Sequence, residues 1–128
     1  MGSRHRLTYT AIGDAVNLAF RLQSATRDYR VGTLVGEDTA TRYPSMLFRE
    51  LDQVTLRGKS SMTRIYEPVC LQWDADEEMK ANLKLHQHAL QHWYDKQLSE
   101  ARSLLLQLHT RYPETGYYEV MLERLDGQ

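Results

Sequence analysis

The 128-residue sequence contains a single cysteine, Cys70, and therefore cannot form an intramolecular disulfide. A lone thiol is typical of proteins that work in a reducing compartment. No apolar run approaches the roughly 20 residues that a membrane-spanning helix needs, and no secretory signal peptide is visible. We therefore expect a soluble, cytoplasmic protein without a membrane segment.

The sequence also lacks an excess of charge of either sign. Its 16 Lys and Arg residues and 17 Asp and Glu residues give a net charge of −1. Proteins that bind nucleic acids or anionic membrane surfaces usually carry a clear positive excess. Composition therefore supports neither class of partner. The length corresponds to one domain or to two small units with a modest core.

The most informative stretch, residues 8–22, predicts a short strand, a glycine turn and a helix that begins at Asp14. Apolar side chains cover most of the circumference of this helix over residues 14–25, which indicates burial. One narrow polar stripe interrupts the apolar surface and consists of Asn17, Arg21 and Ser24. A buried guanidinium is costly unless it meets an anion. Arg21 should therefore face either a core carboxylate or a bound anion.

The same stretch, Tyr-Thr-Ala-Ile-Gly-Asp-Ala-Val-Asn-Leu-Ala-x-Arg-Leu, resembles the C-terminal half of the class III nucleotide cyclase catalytic domain. In that family, an Asn and an Arg four residues apart contact the ribose and the transferring phosphate. The resemblance assigns these catalytic roles to Asn17 and Arg21. Negative charge builds on the phosphoryl oxygens during cyclisation, and a planar guanidinium can bind two of them. An Asn side chain has a donor and an acceptor with which to orient the sugar.

The resemblance implies two further substrate-binding residues. Thr10 lies seven residues before Asn17, at a position that reads the purine in the family, and threonine there favours adenine. Without the resemblance, Thr10 is equally well explained as a β-branched strand residue. Arg57 lies in a basic turn over residues 57–61 that resembles a turn close to the triphosphate, so we expect it to contact phosphate. Lys59 in the same turn is interpreted as a solvated hairpin tip.

The family holds two metal ions, Mg²⁺ or Mn²⁺, with two aspartates from the N-terminal half of its domain. No segment of this chain resembles those metal motifs, and the family's purine-reading Lys is also absent. The resemblance therefore starts in mid-domain and covers residues 1–70, with Met1 interpreted as an added or mis-assigned start. It implies a homodimer, or pairing with the missing half of the domain, and no activity from this chain alone.

Residues 71–128 are predicted to form a helical unit. The placement of Ala101 and Pro113 resembles one tetratricopeptide unit and the start of the next, although Ala89 and His92 depart from that pattern. Such a unit cannot bury its own apolar face, so we expect it to pack on the first unit or on another chain. The predicted fold class is α+β: a partial, ferredoxin-like sheet with a buried helix and a β-hairpin, followed by a tetratricopeptide-like helical hairpin.

The remaining predicted elements are a polar link at residues 27–30, a strand at 31–36, a helix at 37–43 and strands at 48–56 and 63–69. Acidic residues precede and open the first helix of the tail, where they complement its dipole better than they suit a metal ion: Asp74, Asp76, Glu77 and Glu78. Tyr117 and Tyr118 are interpreted as packing residues.

Three histidines, His86, His88 and His92, suggest a zinc site, because His88 and His92 share a helix face. No third ligand has suitable spacing, so we interpret them as surface histidines of an amphipathic helix. Cys70 has no paired base in the sequence and is not expected to be a nucleophile.

Two classes of function remain open. In the first, the chain is the C-terminal part of a bacterial adenylate cyclase, which converts ATP to cyclic AMP and pyrophosphate at a dimeric active site. In the second, the cyclase-like part is only a scaffold and the helical tail binds a protein partner.

Overall fold

The computed structural model describes residues 22–55 and 62–127. Within these ranges the protein is an α+β structure with one three-stranded antiparallel sheet and five helices, which confirms the predicted class. The ferredoxin-like and tetratricopeptide-like details stay predictions. The elements are α1 (helical residues 22–29), β1 (Val35–Gly36), α2 (Glu37–Arg42), β2 (Met46–Thr55), β3 (Met62–Leu71), a 3₁₀ turn (Gln72–Asp74), α3 (Glu77–Tyr94), α4 (Leu98–Arg111) and α5 (Gly116–Asp126).

The sheet has the order β1-β3-β2, and the β2–β3 hairpin forms most of it. Both hairpin strands extend beyond their predicted bounds. The register shifts twice, once opposite Pro68 and once at Leu51, where β2 carries one residue more than β3 between its pairs. A proline has no N–H for the ladder and is tolerated at such a bulge. The bulge at Leu51 interrupts the regular alternation of faces, so that Glu50 and Leu51 are both buried.

The predicted polar link at residues 27–30 is wrong, because α1 continues through residue 29. Leu22, Ala25 and Tyr29 recur at helical spacing and pack against the core, and Tyr29 is itself buried. The helix ends with Arg30 in a left-handed conformation (φ 55°), which lets the amide of Val31 bond the carbonyl of Thr26.

The predicted strand at residues 31–36 is also mostly wrong. Only Val35 and Gly36 pair with β3. The preceding residues carry the chain from the end of α1 to the sheet edge, and Leu34 is buried on the way. The short helix predicted next is confirmed as α2.

The tail helices begin and end where the sequence signals predict. The carboxylate of Asp76 accepts a hydrogen bond from the amide of Met79 (2.8 Å) and caps α3, with Glu77 and Glu78 in the first turn. At the other end of α3, Lys96 adopts a left-handed conformation (φ 60°). The helix α4 ends at Arg111, two residues before Pro113.

One hydrophobic core joins the sheet to the tail, as expected for a helical unit that cannot bury its own face. None of the helices in the described ranges is long and apolar enough to cross a membrane. The core residues come from α1, from the loop before β1, from β2 and β3, and from all three tail helices: Tyr29, Leu34, Leu51, Ile65, Ala89, Leu90, Leu105, Leu108, Tyr117, Tyr118, Met121, Leu122 and Leu125.

Candidate functional site

The four predicted site residues, Thr10, Asn17, Arg21 and Arg57, lie outside the described residues. The structure describes the segments beside them. The helix α1 is described from the residue after Arg21, and Arg57 follows the last residue of β2 by two positions. Ser24, the third member of the predicted polar stripe, is exposed. The contacts that hold α1 and β2 in place therefore determine how these two neighbouring segments are oriented.

Four consecutive residues of β2 bond to the tail, and we call this set of contacts the tail junction. The bonds join Arg49 to Asn82, Glu50 to His86, Leu51 to Tyr117 and Asp52 to Arg124. A regular strand turns successive residues to opposite faces. The bulge at Leu51 breaks this rule and brings neighbouring carbonyls within reach of α3 and α5.

Two backbone carbonyls of the bulge are satisfied by side chains of the tail. The carbonyl of Glu50 accepts from His86 Nε2 (2.5 Å), and the carbonyl of Leu51 accepts from the Tyr117 hydroxyl (2.5 Å). Burial raises the pKa of Tyr117 well above its ordinary value, so its hydroxyl remains a donor at neutral pH. Because a buried carbonyl without a partner is costly, the tail makes the bulge tolerable.

His86 is a buried structural histidine, and its interpretation as a surface residue is wrong. Its side chain is only 1 % exposed. Burial lowers the pKa and keeps the ring neutral, so that Nε2 donates to the carbonyl and Nδ1 accepts from the Tyr118 hydroxyl (3.0 Å). Burial lowers the pKa of His86 to about 3; the Glu50 carbonyl opposes this shift and the charge of Arg49 adds to it.

The other two histidines of the predicted zinc alternative do not join His86. His88 is exposed, and Nδ1 of the half-buried His92 bonds Gln97 Oε1 (2.6 Å). In the described ranges, no three His, Cys, Asp or Glu side chains are grouped so that they could hold a metal ion.

We expect the buried neutral His86 to make the fold acid-sensitive. An unfolded histidine titrates near its ordinary pKa of about 6.5, whereas folded His86 titrates at about 3. Below pH 6.5 the unfolded state therefore binds the extra proton, and stability is lost as the pH falls. This group alone should lower the free energy of unfolding by about 2 kcal/mol between pH 7 and pH 5.

Urea unfolding at several pH values measures this slope. His86→Gln keeps a side-chain donor but removes the titration, so its pH dependence should be smaller by that amount. His88→Gln, on the exposed face of the same helix, should behave like the unmodified chain. Equal slopes for the unmodified chain and His86→Gln would contradict the assignment.

The first member of the tail junction, Arg49, joins three elements. Its Nη1 donates to Glu67 Oε1 on β3 (3.0 Å), and its Nη2 donates to Asn82 Oδ1 on α3 (2.9 Å). The side chains of Arg49 and Glu67 are 12 % and 20 % exposed, so this ion pair is largely shielded from solvent. Because the guanidinium is planar, its two hydrogen bonds fix the orientation of β3 and α3 around the Arg49 side chain.

The last member of the tail junction, Asp52, connects α1 to α5. The Tyr29 hydroxyl donates to Asp52 Oδ2 (2.6 Å), and Arg124 Nη1 donates both to that oxygen and to the Tyr29 hydroxyl oxygen (3.2 Å each). The guanidinium carbon also lies 4.5 Å from the centroid of the Tyr29 ring. Burial, together with the bond to Asp52, raises the pKa of Tyr29 to about 12. The hydroxyl therefore stays a donor.

Arg30, the residue that follows α1, makes a second contact with α5. A Cβ added at Gly116 would lie 3.0 Å from the Cβ of Arg30, so the two helix ends meet where only glycine fits without displacement. Arg30 Nη1 lies 3.2 Å from Glu119 Oε2. This pair is half-exposed and adds little to stability.

Part of this chain is similar to two curated proteins. No family model and no solved structure matches it. Among curated proteins, it is 35 % identical over 89 residues to "Adenylate cyclase, terminal-differentiation specific" of Dictyostelium discoideum, which covers 66 % of this chain and 4 % of that protein. It is also 37 % identical over 70 residues to "Adenylate cyclase 1" of Rhizobium meliloti (strain 1021). This matched segment covers 54 % of this chain and 10 % of that protein.

The chain contains a cyclase-related region. It spans only 4 % and 10 % of the length of these two relatives. The finer assignment to class III stays a prediction, as do the roles of the four site residues.

The residues that hold α1 and β2 against the tail were not predicted from the sequence. Tyr29 could have been found, because it continues the helical spacing of Leu22 and Ala25. No pattern in the sequence predicts the contact between Asp52 and Arg124. Each is typical of a charged surface residue, and the two lie 72 positions apart.

Proposed function

We propose that this chain supplies the transition-state and phosphate-binding residues of an adenylate cyclase, which forms cyclic AMP and pyrophosphate from ATP. The observation that carries the proposal is the identity with two proteins named adenylate cyclase. The long motif around Asn17 and Arg21 supports it. In this proposal the complete enzyme is of the bacterial class III type.

Each proposed site residue has a distinct chemical task. Arg21 binds the oxygens of the α-phosphate as their charge grows, and Asn17 orients the ribose whose 3′-oxygen attacks in line. Arg57 binds the triphosphate as a second cation. Thr10 contacts the adenine. Arg21 and Arg57 must converge on one substrate, so the packing of α1 against β2 is part of the active-site architecture.

The described carboxylates do not fit the Mg²⁺ or Mn²⁺ ions that this chemistry uses. No metal-binding group forms among them. The three most shielded carboxylates already lie within 3.7 Å of a guanidinium: Glu50 pairs with Arg64, Asp52 with Arg124 and Glu67 with Arg49. We therefore propose that the metal ligands come from another segment or subunit, in a homodimeric or paired-half site.

The alternative function, a protein-interaction module formed by the tail, has less support. The apolar face that such a module would use is occupied by the sheet, because α3 and α5 bury His86, Tyr117 and Tyr118 against β2. A partner would have to bind elsewhere on the tail.

Reconstitution tests the proposal. The isolated chain, the separately expressed segment that carries the metal-binding aspartates, and the complete gene product are each assayed with Mn²⁺ and ATP. We expect cyclic AMP from the complete product and from the mixture, and background levels from the isolated chain. Gel filtration reports association.

Three results would each count against a specific part of the proposal. Turnover by the pure isolated chain would show that it holds its own metal ligands. A folded complete product without any cyclic AMP formation would overturn the cyclase function itself. A monomeric mass at high concentration would argue against the homodimer.

A further inference from the structure

We propose that Arg124 is a positioning residue of the cyclase site. It bridges the end of α1 and the middle of β2, and so sets the orientation of the helix predicted to carry Arg21 relative to the strand that leads to Arg57. This inference rests on the proposed function and goes beyond it, because it gives the helical tail a role in catalysis.

The bridge joins three elements through a single nitrogen. Arg124 Nη1, on α5, contacts Asp52 Oδ2 on β2 and the hydroxyl oxygen of Tyr29 on α1, each at 3.2 Å. The Tyr29 hydroxyl donates to that same Asp52 oxygen at 2.6 Å, which closes a three-membered ring of contacts. Each of the three groups therefore contacts both of the others.

The charges and burial of the three groups suit a fixed contact. Asp52 is 13 % exposed and Arg124 is 36 % exposed, so the ion pair is partly shielded from solvent. Burial acts to lower the pKa of Arg124, but the hydrogen bond to Tyr29 and the charge of Asp52 more than offset it, and the net pKa is raised. Asp52 Oδ1 in turn accepts from the amide of Gln53 (2.8 Å), which holds its carboxylate plane against the strand.

The contact between Arg124, Tyr29 and Asp52 is placed so that a small rotation there would displace the predicted site residues. Arg21 precedes Tyr29 by eight residues, which is about 12 Å along a helix. We expect the helix predicted at residues 14–25 to be continuous with α1, so that a rotation of about 5° at Tyr29 would move Arg21 by about 1 Å, and such a displacement can cost about a hundredfold in rate. The four predicted site residues lie outside the described ranges, and the proposed effect of Arg124 is transmitted through its contacts with Tyr29 and Asp52.

The complete gene product carries the test. Steady-state kinetics with ATP are compared for the unmodified protein, Arg124→Ala, Arg124→Lys and Arg102→Ala. Arg102 is the matched control, because it is an arginine of the same tail whose ion pair, with Asp126 (3.1 Å), is exposed. Hydrogen exchange of the amides of residues 22–29 is measured for each variant.

We expect Arg124→Ala to lower kcat about tenfold or more while KM for ATP changes by less than about threefold, because the misplaced groups act mainly on the transition state. Arg124→Lys, which keeps the charge beside Asp52, should recover part of kcat. Exchange in α1 should accelerate in Arg124→Ala. Arg102→Ala should match the unmodified protein in kcat and in the protection of α1.

The outcomes separate the two levels of the proposal. An active protein whose kcat is unchanged in Arg124→Ala, or falls equally in Arg102→Ala, would overturn the positioning role and leave the cyclase function standing. An unmodified complete product that is folded but inactive would overturn the cyclase function, and the catalytic role of Arg124 with it, whatever the exchange of α1. A loss of kcat that follows global unfolding, with no selective change in α1, would also overturn the positioning role.

Discussion

Replacement of Arg21 with alanine in the complete gene product should slow cyclic AMP formation by a factor of about 10²–10³, or about 3–4 kcal/mol of transition-state stabilisation. The guanidinium is proposed to bind oxygens whose charge grows as the ribose oxygen attacks, and this interaction is stronger in the transition state than in the ground state. The loss should therefore appear in kcat and in kcat/KM, and steady-state kinetics with Mn²⁺ and ATP measure both.

Arg27→Ala is the matched control for this substitution. Arg27 lies on α1 but is exposed, so its removal should leave kcat unchanged. The sequence left open a second interpretation, in which Arg21 pairs with a core carboxylate. In that case Arg21→Ala would lower the free energy of unfolding by about 3–5 kcal/mol, because an uncompensated buried charge remains. A loss of stability without a selective loss of kcat in the folded protein would therefore contradict the catalytic role.

Tyr117→Ala should destabilise the chain by about 3–5 kcal/mol, because it leaves a cavity the size of an aromatic ring at the centre of the shared core. Tyr117 is fully buried, and its ring lies near those of Tyr29, His86 and Tyr118 at centroid distances of 5.4–6.2 Å. The substitution also removes the donor to the Leu51 carbonyl. Urea unfolding followed by circular dichroism measures the change.

Two further variants separate packing from hydrogen bonding. Tyr117→Phe keeps the ring and loses only the hydroxyl, so it should cost about 1–3 kcal/mol, the range for a buried acceptor left without a partner. Tyr43→Ala removes a side chain that is 59 % exposed and should change stability by less than about 0.5 kcal/mol. If Tyr117→Ala were as mild as Tyr43→Ala, the tail would not be docked on the bulge of β2.

Local signals in the sequence predicted most of the elements. The spacing of apolar residues and the positions of Asp76 and Pro113 predicted where α3 begins and α4 ends, because caps and helix breakers act within a few residues. The turn-rich segment between two apolar runs likewise predicted the β2–β3 hairpin. The end of α1 was missed for a local reason, since charged neighbours on both sides of Tyr29 concealed its place on the apolar face.

The sequence by itself determined the α+β class, most of the helices and strands, and the motif that resembles a cyclase. Only the tertiary structure decided how the tail meets the sheet. The four residues of β2 in the tail junction are adjacent in sequence, yet their partners lie between 33 and 72 positions away. The bulge at Leu51 brings two neighbouring carbonyls of β2 within reach of the tail. His86, which the sequence predicts to be a surface residue, is buried and donates to one of them. Such contacts depend on packing between distant elements, and no periodicity within one element encodes them.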